Sequence, residues 1–274
     1  MGRFRQGFAL AGKSWQTLKE HRNLSAFVIY GALSGLALML ITLVPGFLLI
    51  DGNDQTVPGA ILVAIGLYLA AFAGYYFAVA LAANADAIFR GESPSIADGL
   101  AVSRSRVGAI AGWALLATVV GTIISAIQNS GSIGEIVAGF ILNIAWSLIS
   151  FLAVPVIAFE GTGPFATVKR SASLFRERWG GQVAGNAAIG LATFLLGVLP
   201  GILVTAGGVY LWQDGNGAGI VVAVVGVAII LVASVIARAL SGIFGVALYR
   251  FAAEGHAAGN FTDGDMESAV RVKR

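Results

Sequence analysis

The amino-acid sequence predicts an all-α integral membrane protein with six transmembrane helices. Two observations predict it. Hydrophobic residues make up 57% of the 274 positions and charged residues only 11%, whereas about a quarter of the residues in a soluble domain are charged. In addition, three connections between long apolar runs, residues 51–56, 129–134 and 213–218, contain no Lys or Arg. The other connections and the two ends of the chain hold every basic residue except Arg238.

This distribution of basic residues predicts the topology. Basic segments stay on the cytoplasmic side of a membrane, so both termini are expected in the cytoplasm. Each apolar run is longer than the roughly 20 residues that a helix needs to cross the hydrocarbon, and only helices pair all the backbone groups of an isolated segment there. The predicted spans are residues 24–50, 57–82, 107–128, 135–158, 183–212 and 219–249. Residues 1–23 form an N-terminal amphipathic helix, and residues 250–274 a cytoplasmic tail.

Amphipathic helices are predicted before the first, third and fifth spans. Apolar residues recur there at helical spacing, and basic residues occupy the other faces. The helix before the third span has the weakest amphipathic pattern, but Ser95 and Asp98 have capping-box spacing at its start. A basic face opposite an aromatic one suits a helix in the headgroup plane of the inner leaflet. The expected apolar positions are Phe4, Phe8, Ala11, Trp15 and Leu18, then Ile96, Leu100 and Val107, then Phe165, Val168, Ala172, Phe175 and Trp179. Phe8, Trp15, Phe175 and Trp179 are the predicted interfacial anchors.

Short strings repeat along the chain. Residues 89–94 match residues 159–164 in their Phe, Gly and Pro, and Val44-Pro45-Gly46 matches Leu199-Pro200-Gly201. These matches predict three repeats of one unit, an amphipathic helix followed by a transmembrane hairpin, as internal repeats are common in transporters. The alternative is that unrelated segments meet the same interfacial requirements.

The junction 89–100, the stretch 159–175 and the ending Ala247-Leu248-Tyr249-Arg250 resemble an uncharacterised family of six-span prokaryotic membrane proteins. More distantly, they resemble the membrane domain attached to some glycerophosphodiester phosphodiesterases. The resemblance implies six helices in a bacterial or archaeal plasma membrane, and it implies no activity.

Three spans carry stripes of polar and small residues that have two interpretations. The stripes line a wet cavity, because polar groups in hydrocarbon turn away from lipid, or they pack helices closely through small residues and hydrogen bonds. We favour packing. The polar members are Thr118, Thr122, Ser125 and Asn129 in the third span, Asn143, Ser147 and Ser150 in the fourth, and Asn186 and Thr193 in the fifth.

Two prolines and one arginine within the spans are further candidates. Pro45 and Pro200 are expected to kink their helices. Arg238 lies near the cytoplasmic boundary, where its side chain reaches the headgroups, so it is predicted to be an anchor and not a gate. Asp86 and Glu160, at the ends of two spans, are expected to pair with Arg238 or with the arginines of the amphipathic helices.

The sequence contains no motif for catalysis. It has no cysteine and only two histidines, so a zinc site is not expected. Hydrolase motifs are also absent. We therefore expect no enzyme, no cofactor and no nucleic-acid partner, but contact with the anionic lipids of the inner leaflet. Two functions remain: handling of lipids or small solutes, which we favour slightly, and a non-transporting scaffold or subunit with protein partners or further copies of itself.

Overall fold

The structure, a computed structural model, describes residues 2–52, 56–129, 133–179, 197–214 and 216–268. No β-strand occurs in these ranges, so the predicted all-helical fold is confirmed for them. The helices are α1 (Gly2–Glu20), α2 (Asn23–Gly52), α3 (Thr56–Phe89), α4 (Ile96–Ser105), α5 (Val107–Gln128), α6 (Ile133–Ser150), α7 (Ala153–Glu160), α8 (Pro164–Trp179), α9 (Leu199–Gln213), α10 (Ala218–Glu254) and α11 (Asp263–Ser268).

Within the described ranges four helices, α2, α3, α5 and α10, are long and apolar enough to cross a membrane, as is typical of a membrane protein. Two of them continue beyond the predicted spans, α3 to Phe89 and α10 to Glu254. The predicted span 135–158 is instead divided, because a turn at residues 151 and 152 separates α6 from α7. Of the predicted span 183–212, only residues 197–212 are described.

The helices have two unlike ends. We call the end with α1, α4, α8 and α11 the elbow end, and the end with the short connections 53–55, 129–132 and 214–217 the hairpin end. In α10 the buried residues of the hairpin half are Gly219 and Gly226, whereas most residues from Ala239 to Ala252 are buried. The hydrophobic core is therefore concentrated at the elbow end, where α3, α7 and α10 contact one another.

Toward the hairpin end, α2 packs on α3 and α9 packs on α10 through glycines. The Thr42 side chain occupies the space beside Gly66, and the Thr205 side chain occupies the space beside Gly226. The spacing of seven between Gly59 and Gly66 recurs between Gly219 and Gly226. Small residues let helix backbones approach closely in lipid, and this explains both hairpins.

The two Pro-Gly pairs lie at different depths. Pro45 lies inside α2, seven residues before its last residue, Gly52, whereas Pro200 lies at the start of α9, thirteen residues before Gln213. The difference of six residues corresponds to about 9 Å along a helix. A π-helical turn at residues 197 and 198 directly precedes Pro200, so helical regularity is interrupted there.

The amphipathic helices pack on the long helices through a serine. α4 lies against α3, where the Ser103 hydroxyl donates to the Tyr76 carbonyl at 2.7 Å. α8 lies against α6 and α7, where the Ser171 hydroxyl donates to the Ile149 carbonyl at 2.5 Å. α1 lies against α10 with Ser14 fully buried at the corresponding position, although its hydroxyl has no partner in the described ranges.

These serines belong to contact faces that were not predicted from the sequence. Within residues 10–20 of α1 the buried residues are Leu10, Ser14, Thr17 and Leu18, whereas the Trp15 side chain is 43% exposed. In α8 the Phe165 side chain is 77% exposed, and the buried residues include Thr167, Ser171 and Leu174. The described faces toward the protein thus combine leucines with small polar residues, and the Trp15 and Phe165 rings lie on the outside.

Three long helical segments end on a glycine with positive φ at the elbow end. These are Gly91 after α3, Gly161 after α7 and Gly255 after α10, with φ of 82°, 65° and 87°. A residue in the left-handed region commonly ends a helix, and glycine adopts this conformation without steric cost. The chain is turned at each glycine toward the segment that follows.

Capping boxes begin two of the following helices. The Ser95 backbone N–H donates to Asp98 and Asp98 N–H donates to the Ser95 hydroxyl, and Thr262 with Asp265 repeats this arrangement before α11. The backbone and hydroxyl donors of Ser95 lower the pKa of the Asp98 carboxyl. The capping box predicted at Ser95 is therefore present.

Candidate functional site

A cluster of charged side chains joins the central helices at the elbow end. Asp86, in the last turn of α3, has a side chain that is only 5% exposed. Arg250 of α10 donates to both of its carboxylate oxygens, from Nε to Oδ1 at 2.5 Å and from Nη2 to Oδ2 at 2.7 Å. Arg90 forms a second ion pair with the same carboxylate. Such two-point arginine–carboxylate pairs are among the stronger hydrogen bonds in proteins, so α3 and α10 are fixed to each other.

The residue before Arg250 makes the next connection. The Tyr249 hydroxyl donates to Glu160 Oε1 of α7 at 2.9 Å, and Arg170 Nε of α8 donates to the same oxygen at 2.8 Å. The Arg250 guanidinium also lies 5.2 Å from the centre of the Phe159 ring. Two adjacent residues of α10 thus contact α3, α7 and, through Glu160, α8.

Each arginine of the cluster pairs with at least one carboxylate. Arg250 also pairs with Glu254 one turn later in α10, and Arg90 pairs with the exposed Glu92. Burial of an unpaired charge is costly, and the two arginines that bind Asp86 explain how its carboxylate is accommodated in the core. We call six of these side chains the charge cluster: Asp86, Arg90, Glu160, Arg170, Arg250 and Glu254.

The pairing expected for Asp86 and Glu160 is present in part. Arg170, which belongs to an amphipathic helix, pairs with Glu160 as expected. Arg238 does not pair with either carboxylate: its side chain is exposed and makes no ion pair in the described ranges. Arg250, a residue of the predicted tail, pairs with Asp86 instead. The sequence contains a sign of this pairing, because Arg250 stands at the end of an apolar run, as Asp86 and Glu160 do.

The polar stripes of α5 and α6 make only local hydrogen bonds. Thr122 donates to the Thr118 carbonyl, Ser147 lies 3.5 Å from the Asn143 amide oxygen, and Ser150 donates to the Trp146 carbonyl. Thr122, Ser125, Asn143 and Ser147 are exposed. No hydrogen bond of these stripes crosses to another helix within the part of the chain that is described.

The remaining predicted site residues are distributed as follows. Trp15 lies on the exposed side of α1, and Pro45 is exposed in α2. Asn186 and Thr193 lie outside the described residues, as do the side chains of Phe8, Phe175 and Trp179. No group of three or more acidic or histidine side chains that could hold a metal ion occurs in the described ranges.

The charge cluster also lies within a region shared with other proteins. The model of a family described as "Family of unknown function (DUF6159)" matches residues 57–259. The chain belongs to this family. Comparison with the curated proteins and with the solved structures finds no match. The DUF6159 region runs from α3 to the glycine-rich segment after α10, so it contains all of the charge cluster, whereas α1 and α11 lie outside it. The likeness to the phosphodiesterase membrane domain stays an expectation.

Proposed function

We propose that this DUF6159 protein handles lipids or small solutes in a prokaryotic plasma membrane, which it crosses six times with both termini in the cytoplasm. The elbow end would then face the cytoplasm and the hairpin end the outside. This orientation follows from the basic residues of the elbow end. The observation that carries the proposal is the polar surface of α5 and α6 at the depth of the hydrocarbon.

An exposed asparagine is costly in lipid unless its amide finds a partner. In a purely packing role, Asn143 would hydrogen-bond to a neighbouring helix. In the described part of the chain its contact is with Ser147 of its own helix, and Thr122 likewise bonds within α5. The Thr122 hydroxyl is satisfied by its bond, but the Asn143 amide nitrogen has no partner among the described residues. Water or a polar ligand would satisfy it, and this supports the cavity interpretation over the packing one.

The distribution of packing supports access from the hairpin end. The elbow halves of α3, α7 and α10 are buried together and are joined by the charge cluster. The hairpin halves of α2 with α3 and of α9 with α10 pack mainly in pairs through glycines. A space between the pairs would therefore be open outside and closed toward the cytoplasm.

We also propose that the chain consists of three repeats. The buried serines at residues 14, 103 and 171, and the glycines at residues 91, 161 and 255, support equivalent elbows and equivalent helix ends. α1 packs on the last long helix, α10, just as α4 packs on α3. This contact would close the three units into a ring.

The elbows would rest on anionic lipids of the inner leaflet. On α8 the exposed face combines the Phe165 ring with Lys169 and Arg176, which are also exposed. Aromatic rings suit the headgroup region, and each nearby cation contributes about 1 kcal/mol to binding of an anionic surface. Trp15 and Lys19 form a similar exposed pair on α1.

Cysteine labelling tests the cavity, because the chain contains no cysteine of its own. N143C and T122C are expected to react with a membrane-impermeant thiol reagent added from outside. I141C is the matched control, since Ile141 is an exposed apolar residue on the same helix at nearly the same depth. Equal lack of reaction in N143C and I141C would overturn the proposal.

The alternative is a scaffold or subunit that binds other proteins or another copy of the chain. It is favoured by glycines on open helix surfaces, since an added Cβ at Gly74, Gly121 or Gly207 would meet no atom within 4 Å. In that case N143C is expected to stay unlabelled and to cross-link with a partner chain in the membrane. N143L would then weaken assembly, whereas in a transporter it would abolish flux at unchanged expression.

A further inference from the structure

The segment after α10 is folded back onto the elbow end. We call residues 255–268 the C-terminal strap. The strap begins at Gly255, contains a second glycine with positive φ, Gly259 at 63°, and ends in α11. Its Phe261 and Met266 side chains are buried, at 5% and 0% exposure. Within the predicted cytoplasmic tail, the strap therefore packs on the core.

Phe261 completes a column of aromatic rings across the central helices. Its ring centre lies 6.2 Å from that of Phe89 in α3 and 6.2 Å from that of Phe244 in α10. The Phe244 ring lies 6.3 Å from the Phe151 ring at the junction of α6 and α7. The strap thus covers the place where α3 and α10 converge, on the side away from the hairpin end.

Apart from Gly255 N–H, which donates to the Phe251 carbonyl of α10, the backbone donors described for the strap bond within the strap. Ala257 N–H donates to Asp263 Oδ1 at 2.6 Å, Met266 N–H donates to the Thr262 carbonyl at 3.1 Å, and Thr262 N–H donates to Asp265 Oδ2 at 2.7 Å. The segment can therefore leave the body without breaking these bonds. The two glycines supply conformations at which the chain can turn.

One ion pair joins the strap to the N-terminal helix. Lys13 of α1 donates to the Asp265 carboxylate, and both side chains are partly exposed, at 30% and 24%. Burial opposes ionisation of Asp265, but the bonds from Lys13 and Thr262 outweigh it and lower the pKa of the carboxyl. The Asp265 carboxyl is thus ionised at neutral pH, and the pair is accessible at the edge of the protein.

We propose that the C-terminal strap is a detachable plug for the elbow end, held in place by the Lys13–Asp265 pair. The inference rests on the proposed function, because it assigns to the strap the cytoplasmic closure of the path between α3 and α10. Phe261 and Met266 cover the place where these helices converge, outside the charge cluster that joins them, and the ion pair sets how often they leave it. The position of α1 on the membrane thereby controls the plug through Lys13.

Met266 provides a reporter within the strap. Its side chain is fully buried, at 0% exposure. M266C in the full-length chain should react slowly with a thiol reagent applied from the elbow end, since residue 266 is accessible only when the strap is detached. The reaction rate then measures the fraction of time that the strap is detached.

Matched lysine variants test the latch. K13M is expected to raise the labelling rate of M266C about threefold, as loss of one partly exposed ion pair predicts, and K13E to raise it further through repulsion from Asp265. K19M is the control, because Lys19 lies on the same helix and is exposed, with no bond to the strap. Equal rates in K13M and K19M would overturn the latch.

F261A tests the plug itself and is expected to raise the rate about a hundredfold, as for loss of a large buried side chain. Hydrogen exchange separates detachment from general loosening: exchange of residues 256–266 should accelerate in K13M, with residues 239–249 of α10 unchanged. Acceleration of both segments together would overturn the proposal. Labelling of N143C from outside does not depend on the strap, so failure of the plug and failure of the proposed function are distinguishable.

Discussion

Arg250→Met tests whether the charge cluster holds the elbow end together. Methionine keeps an unbranched apolar stem beside Phe159 but removes the guanidinium. Asp86, with a side chain only 5% exposed, loses the two charge-assisted bonds from Arg250 and retains Arg90. Each such bond contributes about 1.5 kcal/mol or more, so R250M is expected to lower the free energy of unfolding by about 3 kcal/mol.

The matched control lies on the same helix. Arg238 is exposed and has no ion pair among the described residues, so R238M is expected to change the free energy of unfolding by less than about 0.5 kcal/mol. R170M should fall between the two. The side chains of Arg170 and Glu160 are 39% and 25% exposed, and solvent screening reduces such a pair to at most about 1 kcal/mol.

Unfolding in mixed detergent micelles with increasing SDS measures these differences for the three variants in parallel. A double variant distinguishes the loss of a bond from the exposure of an unpaired charge. In D86N/R250M no buried carboxylate remains, so the double variant should be more stable than R250M by about 1 kcal/mol or more. If R250M is as stable as R238M, the charge cluster does not hold the helices and the reasoning fails.

Three further predictions concern helix packing and the strap. G208A should destabilise the α9–α10 hairpin by about 1–3 kcal/mol, because the new methyl would overlap the Ala223 backbone; G207A, with open space around it, should be neutral in the same unfolding assay. S171A should cost about 1 kcal/mol through its lost hydrogen bond, whereas S14A, whose hydroxyl has no partner in the described ranges, should cost nearly nothing. Because the folded pKa of Asp265 is lowered, its stabilisation of the strap is present above the unfolded value of about 3.9 and is lost as pH falls through the folded value. Exchange of residues 256–266 should therefore be unaffected by the protonation of Asp265 between about pH 5 and 8 and accelerate in acid, and acceleration that begins near pH 6 would contradict this.

Much of the fold follows from hydropathy and charge. Long apolar runs must be helical in lipid because their backbone groups have no other partners, and Gly91 and Gly161 mark helix ends because they stand where apolar runs stop. The break at residues 151 and 152 was not predictable in this way. The turn consists of Phe151 and Leu152, which lie within a continuous apolar run. Hydropathy cannot distinguish one long helix from two helices that meet at a turn.

The charge cluster was predictable only in part, because pairing depends on the depth of each residue. Asp86 and Glu160 were identifiable as carboxylates at the ends of spans. The Glu160 partner, Arg170, was among those predicted. The Arg250 partner of Asp86 was not, because the predicted sixth span ends at Tyr249 and places Arg250 in the tail. In the structure α10 continues to Glu254, so Arg250 is helical and reaches Asp86. The predicted end of the sixth span is five residues short of the end of α10, and this difference hid the arginine that pairs with Asp86.

The contact faces of the amphipathic helices were not predictable from periodicity alone. The Trp15 and Phe165 rings are exposed, which suits the headgroup region predicted for them. Close approach of two helices favours small residues, and Ser14, Ser103 and Ser171 are buried at these contacts. Leu10, Leu18 and Leu174 are buried on the same helices. Each serine fits against a neighbouring helix for the same reason that Gly66 and Gly226 accept a threonine in the hairpins. Small residues therefore set how closely the amphipathic helices approach the others, while leucines supply the apolar contact.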